Sequence, residues 1–332
     1  MDSPFPFLSL LLLLLLFPSF PLSESKLSVD YYKTSCPDFQ DIIRDTVTDK
    51  QITSPTTAAA TLRLFFHDCM VDGCDASILI SSNSFNKAER DAEVNLNLPG
   101  DAFDVVTRAK TALELSCPKI VSCADVVAQV TRDLIIMVGG PFYPVRLGRK
   151  DGLISMASHV EKSLPRVNMT MDEMIDLFKL NGFNVREMVA LMGSHTIGFS
   201  HCKEFADRLY NFSNSNPTDP GYNPTYASAL KTLCANYTKD TTMSAFNDVL
   251  TPGKFDNMYY QNLPRGLGLL RTDSMLVKDP RTKPFAELYA KDQAVFFMDF
   301  SHAMEKLSIL DIKTGRKGEV RNRCDQFNSI KT

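Results

Sequence analysis

Arg63 and His67 stand four residues apart in an otherwise apolar run, Arg63-Leu64-Phe65-Phe66-His67-Asp68-Cys69. On a helix that spacing puts the two side chains one turn apart on the same face. A guanidinium beside an imidazole disfavours the imidazolium, so the ring stays neutral and can accept a proton. The guanidinium keeps its charge and can stabilise a developing oxyanion. Taken together they form a base and an anion stabiliser on one rigid surface. Taken alone, the two residues read more readily as the solvated face of an amphipathic helix.

The chain continues Met70-Val71-Asp72-Gly73-Cys74-Asp75-Ala76-Ser77. Asp68, Asp75 and Ser77, with backbone carbonyls from a turn over Val71 to Gly73, offer the hard oxygens that calcium takes. Cys69 and Cys74 are close enough in sequence to staple that turn. A cation here would explain so many acids at the end of a buried segment. It would also fix the positions of His67 and Arg63.

These groups need a scaffold, and the apolar periodicity predicts helices almost throughout. The segment Thr57 to Asp68 carries the pair itself. Pro37 to Ile52 has Phe39, Ile42, Ile43 and Val47 on one face, with Pro37 suited to a first turn. Phe103 to Leu115 and Ser122 to Val138 repeat the pattern. In Asp292 to Leu310 the residues Phe296, Phe297, Phe300, Met304 and Leu307 form a stripe. Thr170 followed by Glu173 reads as a capping box opening Met171 to Leu180. Gly139 to Gly152 and Asn211 to Tyr222 read as long loops rich in Pro, Gly and Asn. Strand-like alternation is scarce and no internal repeat is visible, so the expected class is all-α.

Residues 1–25 read as a secretory leader, not as fold. Phe5 to Phe17 is almost wholly apolar, with unbroken leucine from Leu10 to Leu16, and is too short to span a bilayer. Small residues at Ser23 and Ser25 suit a peptidase cutting near Ser25-Lys26. Asp2 and the lack of Lys or Arg before the apolar run leave a signal anchor as the alternative. No later run is long enough to cross a membrane. The 36 Lys and Arg nearly balance 39 Asp and Glu, two of which, Asp2 and Glu24, leave with the leader. Nothing in that balance recruits nucleic acid or an anionic membrane.

Eight cysteines, an even number behind a leader, favour four disulfides; no C-x-x-C pair points to zinc. Sequons at Asn168, Asn211 and Asn236 agree with an oxidising, glycosylating route.

The quoted segment, RLFFHDCMVDGCDAS, resembles the distal signature of the plant secretory (class III) haem peroxidases. Met188 to Phe199, MVALMGSHTIGF, resembles their proximal haem-ligand segment. Val145 to Asp151, VRLGRKD, and Phe255 to Tyr260, FDNMYY, also match in the family's order. The likeness covers residues 26–332 and every cysteine. It implies a single haem peroxidase domain there, with haem b sandwiched between a distal half (about 26–165) and a proximal half (about 166–310). The C-terminal segment would be tied back to the distal half.

By that resemblance His195 is the axial iron ligand, with Asp273 as the carboxylate partner of its other nitrogen. His67 would take a proton from hydrogen peroxide and return it to the departing oxygen, and Arg63 would stabilise the charge that builds. Asn95 would accept the other ring proton of His67. His159, His201 and His302 are then surface or structural histidines. Two calcium sites are implied: Asp68, Val71, Gly73, Asp75 and Ser77, with Glu89 through water; and Thr196, Asp248, Thr251, Lys254 through its carbonyl, and Asp256. The implied disulfides are Cys36–Cys117, Cys69–Cys74, Cys123–Cys324 and Cys202–Cys234. Pro165, with Arg63, would grip phenolic donors. Lignin precursors, wall phenolics and auxin are all donors within the family, and likeness of fold does not choose among them. A secreted monomer of the apoplast is expected; only Asp325 to Thr332 follow the last cysteine, which favours the cell wall over the vacuole.

Some positions depart from the family pattern. The chain has no tryptophan, and the segment after Asn95, LNLPGDA, is one residue longer than usual and lacks an Arg-Gly pair. Glu93, Asn168 and Glu204 stand where relatives often place aromatics at the donor channel. A polar, more anionic mouth that disfavours carboxylated phenols is the expectation, with a glycan on Asn168 crowding it. The bland alternative puts these positions off the donor path. Two other functions compete. A haem-binding cell-wall interaction module would not require base and oxyanion groups, and a metal hydrolase lacks further ligand spacings.

Overall fold

A computed structural model describes residues 27–329. The leader read at residues 1–25 lies outside the described residues. In chain order the helices are α1 (Phe39–Thr53), α2 (Thr57–Cys69), α3 (Gly100–Ser116), α4 (Cys123–Met137), α5 (Ala157–Val160), α6 (Met171–Leu180) and α7 (Val185–Met192). Then follow α8 (Ala206–Leu209), α9 (Pro224–Leu233), α10 (Met258–Asn262), α11 (Arg271–Met275), α12 (Lys283–Lys291) and α13 (Gln293–Leu307). Strands β1 (Phe199–His201) and β2 (Ser244–Phe246) pair antiparallel, Phe199 opposite Phe246, and form the one sheet among the described residues. The fold is the all-helical architecture expected.

Local signals set the boundaries. The Ser122 hydroxyl accepts from Asp125 N to start α4, and Thr170 with Glu173 closes a capping box at α6. Asn184 with Glu187 repeats the box at α7, which the apolar pattern alone did not mark. Helix α3 begins at Gly100, three residues before its first large apolar side chain, because Pro99 and Gly100 set its first turn. Pro37 falls in the turn before α1 and not inside it.

Helix α2 is buried almost all round, from Thr57 to Cys69, and packs on α3 and α4. That placement accounts for its composition: small Ala58 and Ala60 at close crossings, Leu62, Leu64 and Phe65 filling space. On the other side α13 packs on α7, with Phe296, Phe300, Met304 and Leu307 buried and Phe297 partly so. Truncating Phe296 to Ala would cost about 3–5 kcal/mol. One apolar core joins α1–α4 to α7, α12 and α13. A smaller cluster around Cys202, Phe205, Leu209, Tyr222 and Leu269 supports the irregular segments after α7.

The segment 139–152 is a loop, as expected, but bridges stitch it to both ends of the chain. Leu147 pairs with Ser28, Lys150 with Lys313, and Asp151 with Glu319. Arg149 is buried, 2.9 Å from Asp125 and bonded to the Ser308 carbonyl. Disulfides join Cys36 to Cys117, Cys69 to Cys74, Cys123 to Cys324 and Cys202 to Cys234. The third closes 201 residues of sequence, for which chain entropy alone gives a ceiling of about 5 kcal/mol.

Candidate active site

On α2, His67 is buried and donates from Nδ1 to Asn95 Oδ1 at 2.6 Å. Asn95 Nδ2 in turn donates to the Glu89 carbonyl at 2.8 Å, which holds the amide oxygen toward the ring. The lone pair of His67 is therefore on Nε2, and Arg63 Nε points a donor at it from 3.3 Å. Burial pushes His67 down to about 3, with the charge of Arg63 adding to it and that of Arg166 contributing less. The ring is a neutral base. Arg63 is itself held by Asn97 Oδ1 at 2.8 Å and by the Val94 carbonyl at 3.3 Å. The longer loop after Asn95 thus clamps the guanidinium, a role that sequence reasoning missed.

His195 sits not on a helix but on the 3-10 turn Gly193–Thr196 that ends α7. Gly193 is required by packing: a Cβ there would lie 2.5 Å from both the Phe296 ring and the Tyr260 hydroxyl. The ring donates from Nδ1 to Asp273 Oδ1 at 2.8 Å, and Asp273 is fully buried at the start of α11. Burial opposes charge on this ring, but the Asp273 carboxylate outweighs it through its charge and hydrogen bond, and the pKa is raised. The Tyr259 hydroxyl donates to the same Asp273 Oδ1 at 2.9 Å. Buried Arg208 bonds the carbonyls of Gly268, Leu269 and Leu270 at 2.7, 2.7 and 2.9 Å and fixes the approach to α11. Tyr259 lies in the FDNMYY match, but no spacing could have linked it to residues 195 and 273.

Both rings use Nδ1 on a protein oxygen, and neither Nε2 has an acceptor among the described residues. The charge of Arg63 lowers the proton affinity of both, so both rings lie within reach of the one guanidinium. This donor set fits a haem: one imidazole backed by a carboxylate to hold iron, and a neutral base with a cation opposite.

The oxygens expected to hold the distal cation are gathered and buried. Asp68 accepts from Ala76 N and Ile78 N, Asp75 from Ser77 N, and Ser77 Oγ donates to Glu89 Oε2 at 3.0 Å. Glu89 Oε1 is buried without a partner among the described residues. Burial, then repulsion from Asp68 and Asp75, pushes Glu89 up to about 9; Asp68 and Asp75 are raised too, chiefly by burial. That unbalanced negative charge fits a cation. Among the described residues no three His, Cys, Asp or Glu side chains form a metal cluster, so Ser77 and the carbonyls of Val71 and Gly73 would have to complete the shell. Gly73, at φ 104°, turns where a Cβ would strike the Asp311 carbonyl at 2.5 Å. Arg321, buried, braces the loop by donating to the Ala76 and Gly152 carbonyls.

The second expected set also meets. Thr251 Oγ1 lies 3.2 Å from Asp248 Oδ2 and 3.1 Å from Asp256 Oδ1, and Thr196 Oγ1 is 3.5 Å from the Lys254 carbonyl. At the rim Pro165 is half-buried, and Glu93 and Asn168 are exposed with no bond to the pair. Glu204 does reach it: burial lowers the pKa of Arg63, and the charge of Glu204 offsets part of that shift. Arg166, next to Pro165, was overlooked: its charge reaches His67, so the mouth carries both signs and is not simply anionic. The sequons Asn168, Asn211 and Asn236 are exposed. His159 meets Asp72 at 2.5 Å on the surface, away from the two rings.

The peroxidase family profile matches residues 43–292. The chain belongs to the plant peroxidase family. It is 58% identical to Peroxidase 65 of Arabidopsis thaliana over 98% of this chain and 96% of that one. It is 59% identical to Peroxidase 63 over 96% of each chain, and 60% identical to Peroxidase 41 over 92% of each, both from the same plant. This peroxidase is therefore an oxidoreductase that takes hydrogen peroxide and donor molecules, and haem is the cofactor its family implies. No helix among the described residues is long and apolar enough to cross a membrane.

Proposed function

We propose that residues 26–332 form one haem peroxidase domain, exported behind the leader, that reduces hydrogen peroxide and oxidises small phenolic donors by one-electron steps. The observation that carries this is the pair of imidazoles within reach of Arg63, neither with an acceptor on Nε2 among the described residues, one backed by an amide and the other by a carboxylate. His195 Nε2 would hold the iron of haem b, which when bound supplies the redox chemistry that no side chain provides. Asp273 makes His195 a stronger electron donor. His67 Nε2 takes the proton of the bound peroxide and hands it to the departing oxygen; Asn95 keeps the correct nitrogen free for that transfer. Arg63 stabilises the negative charge as the oxygen–oxygen bond opens.

Two calcium ions would complete the site. Asp68, Val71, Gly73, Asp75 and Ser77, with Glu89 through water, take the first; Thr196, Asp248, Thr251, Lys254 and Asp256 take the second. Because Glu89 also holds Asn95, the first ion would stiffen the base. Pro165 and Arg63 would receive the phenol. The leader, four disulfides and exposed sequons support export, which we infer to be to the apoplast and as a monomer.

The test is an absorption spectrum of the haem-loaded protein. A Soret band that shifts with peroxide and returns with guaiacol is expected. A Soret band that never recovers would leave only haem binding, and its absence after haem loading would end this reading.

A further inference from the structure

Asp273 Oδ1 accepts two hydrogen bonds, from His195 Nδ1 at 2.8 Å and from the Tyr259 hydroxyl at 2.9 Å. Both donors are fixed. Tyr259 is 1% exposed, its ring stands edge-on to His195 at 6.1 Å and packs against Tyr260 at 5.0 Å. Its hydroxyl has no other acceptor among the described residues, and Asp273 is wholly buried, so no water replaces either bond. Two donors on one oxygen compete for the same charge. A hydrogen bond to an ionised carboxylate is roughly twice as strong as a neutral one, so losing one of them leaves appreciably more charge for the other.

We propose that Tyr259 is a positioning residue that sets how much negative character Asp273 lends to His195, and thereby tunes the redox potential of the iron that His195 holds. The proposal rests on the reading of His195 as the iron ligand. With Tyr259 in place, Asp273 is a moderated acceptor and the imidazole is only partly drawn toward imidazolate. Without it, the His195 N–H bond strengthens, the ring donates more to ferric iron, and the oxidised state gains. The remaining contacts of Asp273 do not substitute. Leu270 N reaches Oδ2, the other oxygen, at 3.2 Å.

The experiment uses the haem-loaded, full-length holoenzyme. Tyr259→Phe keeps the ring and its packing and removes only the donor. The expected result is a downward shift of the ferric/ferrous midpoint potential and a higher iron–histidine stretching frequency in the ferrous Raman spectrum. Site-specific 3-fluorotyrosine at 259, a more acidic phenol and stronger donor, should move both readouts the other way; it also serves if the Phe variant does not fold. Opposite shifts from the two substitutions support the proposal, and unchanged potential and stretch in either folded protein overturn it. Asp273→Asn is the separate control. It should raise the potential and lower the stretch, and no change there would overturn the assignment of His195 and Asp273 and, with it, the proposal.

Discussion

His67 and His195 share a side chain and a short hydrogen bond from Nδ1, yet the structure drives them in opposite directions. His67 bonds the neutral amide of Asn95 and is pushed down to about 3 by burial and by Arg63. His195 bonds the carboxylate of Asp273 and is pushed up. Burial and Arg63 lower both rings; what turns His195 the other way is the charge on its partner, since both acceptors lie within 3 Å of the ring nitrogen. A buried imidazole with an amide behind it is a base with a free lone pair; with a carboxylate behind it, it is an electron-rich ligand. On the proposed reading, the same residue type would serve two ends of one reaction because its environment differs.

The largest effects come from removing the neutral half of that comparison. His67→Ala should lower kcat/KM for hydrogen peroxide by about 10⁴-fold with the Soret band retained, because haem attachment does not use residue 67. Arg63→Leu should cost about 10²–10³-fold, the scale of losing one preorganised charge stabiliser. Stopped-flow traces of peroxide consumption measure both. A loss in His67→Ala of less than about tenfold would mean that another group carries the proton.

Asn95→Asp makes the distal partner resemble the proximal one, and so tests the comparison itself. A carboxylate at this distance raises a neighbouring His by about 1–3 pH units. The sign follows from protonation: a raised pKa fills Nε2 with a proton at higher pH, and a filled nitrogen cannot accept one. The acid limb of kcat/KM, expected near 3 in the native enzyme, should move up, and turnover at pH 4 should fall about tenfold while that at pH 8 stays close to native. Arg63→Leu should shift the limb the same way, because the guanidinium is one cause of the low value. An acid limb that does not respond to either change would detach His67 from the proton transfer.

How far each half could be read in advance follows from how it is built. The distal pair is written into one helix: four residues separate Arg63 from His67, and α2 does the rest. The proximal site has no such register. His195 stands where α7 breaks at Gly193, its partner is 78 positions away on α11, and Tyr259 arrives from α10. Only resemblance to a family, not periodicity or spacing, could join those three. The long helices were legible because their apolar stripes survive in the core, as at Phe296, Phe300 and Met304. The clamp of Asn97 on Arg63, the bracing of α11 by Arg208 and the charge of Arg166 were not, since each is a contact between segments that carry no repeating pattern.

The proposed calcium sites extend the comparison to stability. Without a cation, Glu89 sits near 9 instead of its ordinary 4.5, so the folded protein holds a proton that the unfolded chain releases between those values. The cation-free protein should therefore lose stability as pH rises from about 4.5 to 9. A bound cation removes that penalty by pairing with the carboxylate charge. Stripping divalent cations should lower Tm by several degrees at pH 8 and by much less at pH 5, as calorimetry on native and stripped protein would record. Equal losses at both pH values would show that these carboxylates do not hold the ion.

The smallest expected effects lie at the mouth of the pocket, where the two halves meet. Glu204 reaches Arg63 and Arg166 reaches His67, so charges of opposite sign face any donor entering beside Pro165. An exposed charge pair is worth about 0.2–1 kcal/mol, which is at most about fivefold in KM. Glu204→Gln should lower KM for ferulate relative to an uncharged analogue by about two- to fivefold, and Arg166→Ala should raise it by a similar factor. Both differences should fade at high ionic strength, where the screening length shrinks to about 3 Å. A glycan on Asn168 would act differently, by bulk and not charge, so Asn168→Gln should change turnover of large donors equally at every salt concentration. If Glu204→Gln and Arg166→Ala shift ferulate and its analogue alike, neither charge reads the donor, and the base and the ligand at the centre of the pocket act on whatever diffuses in.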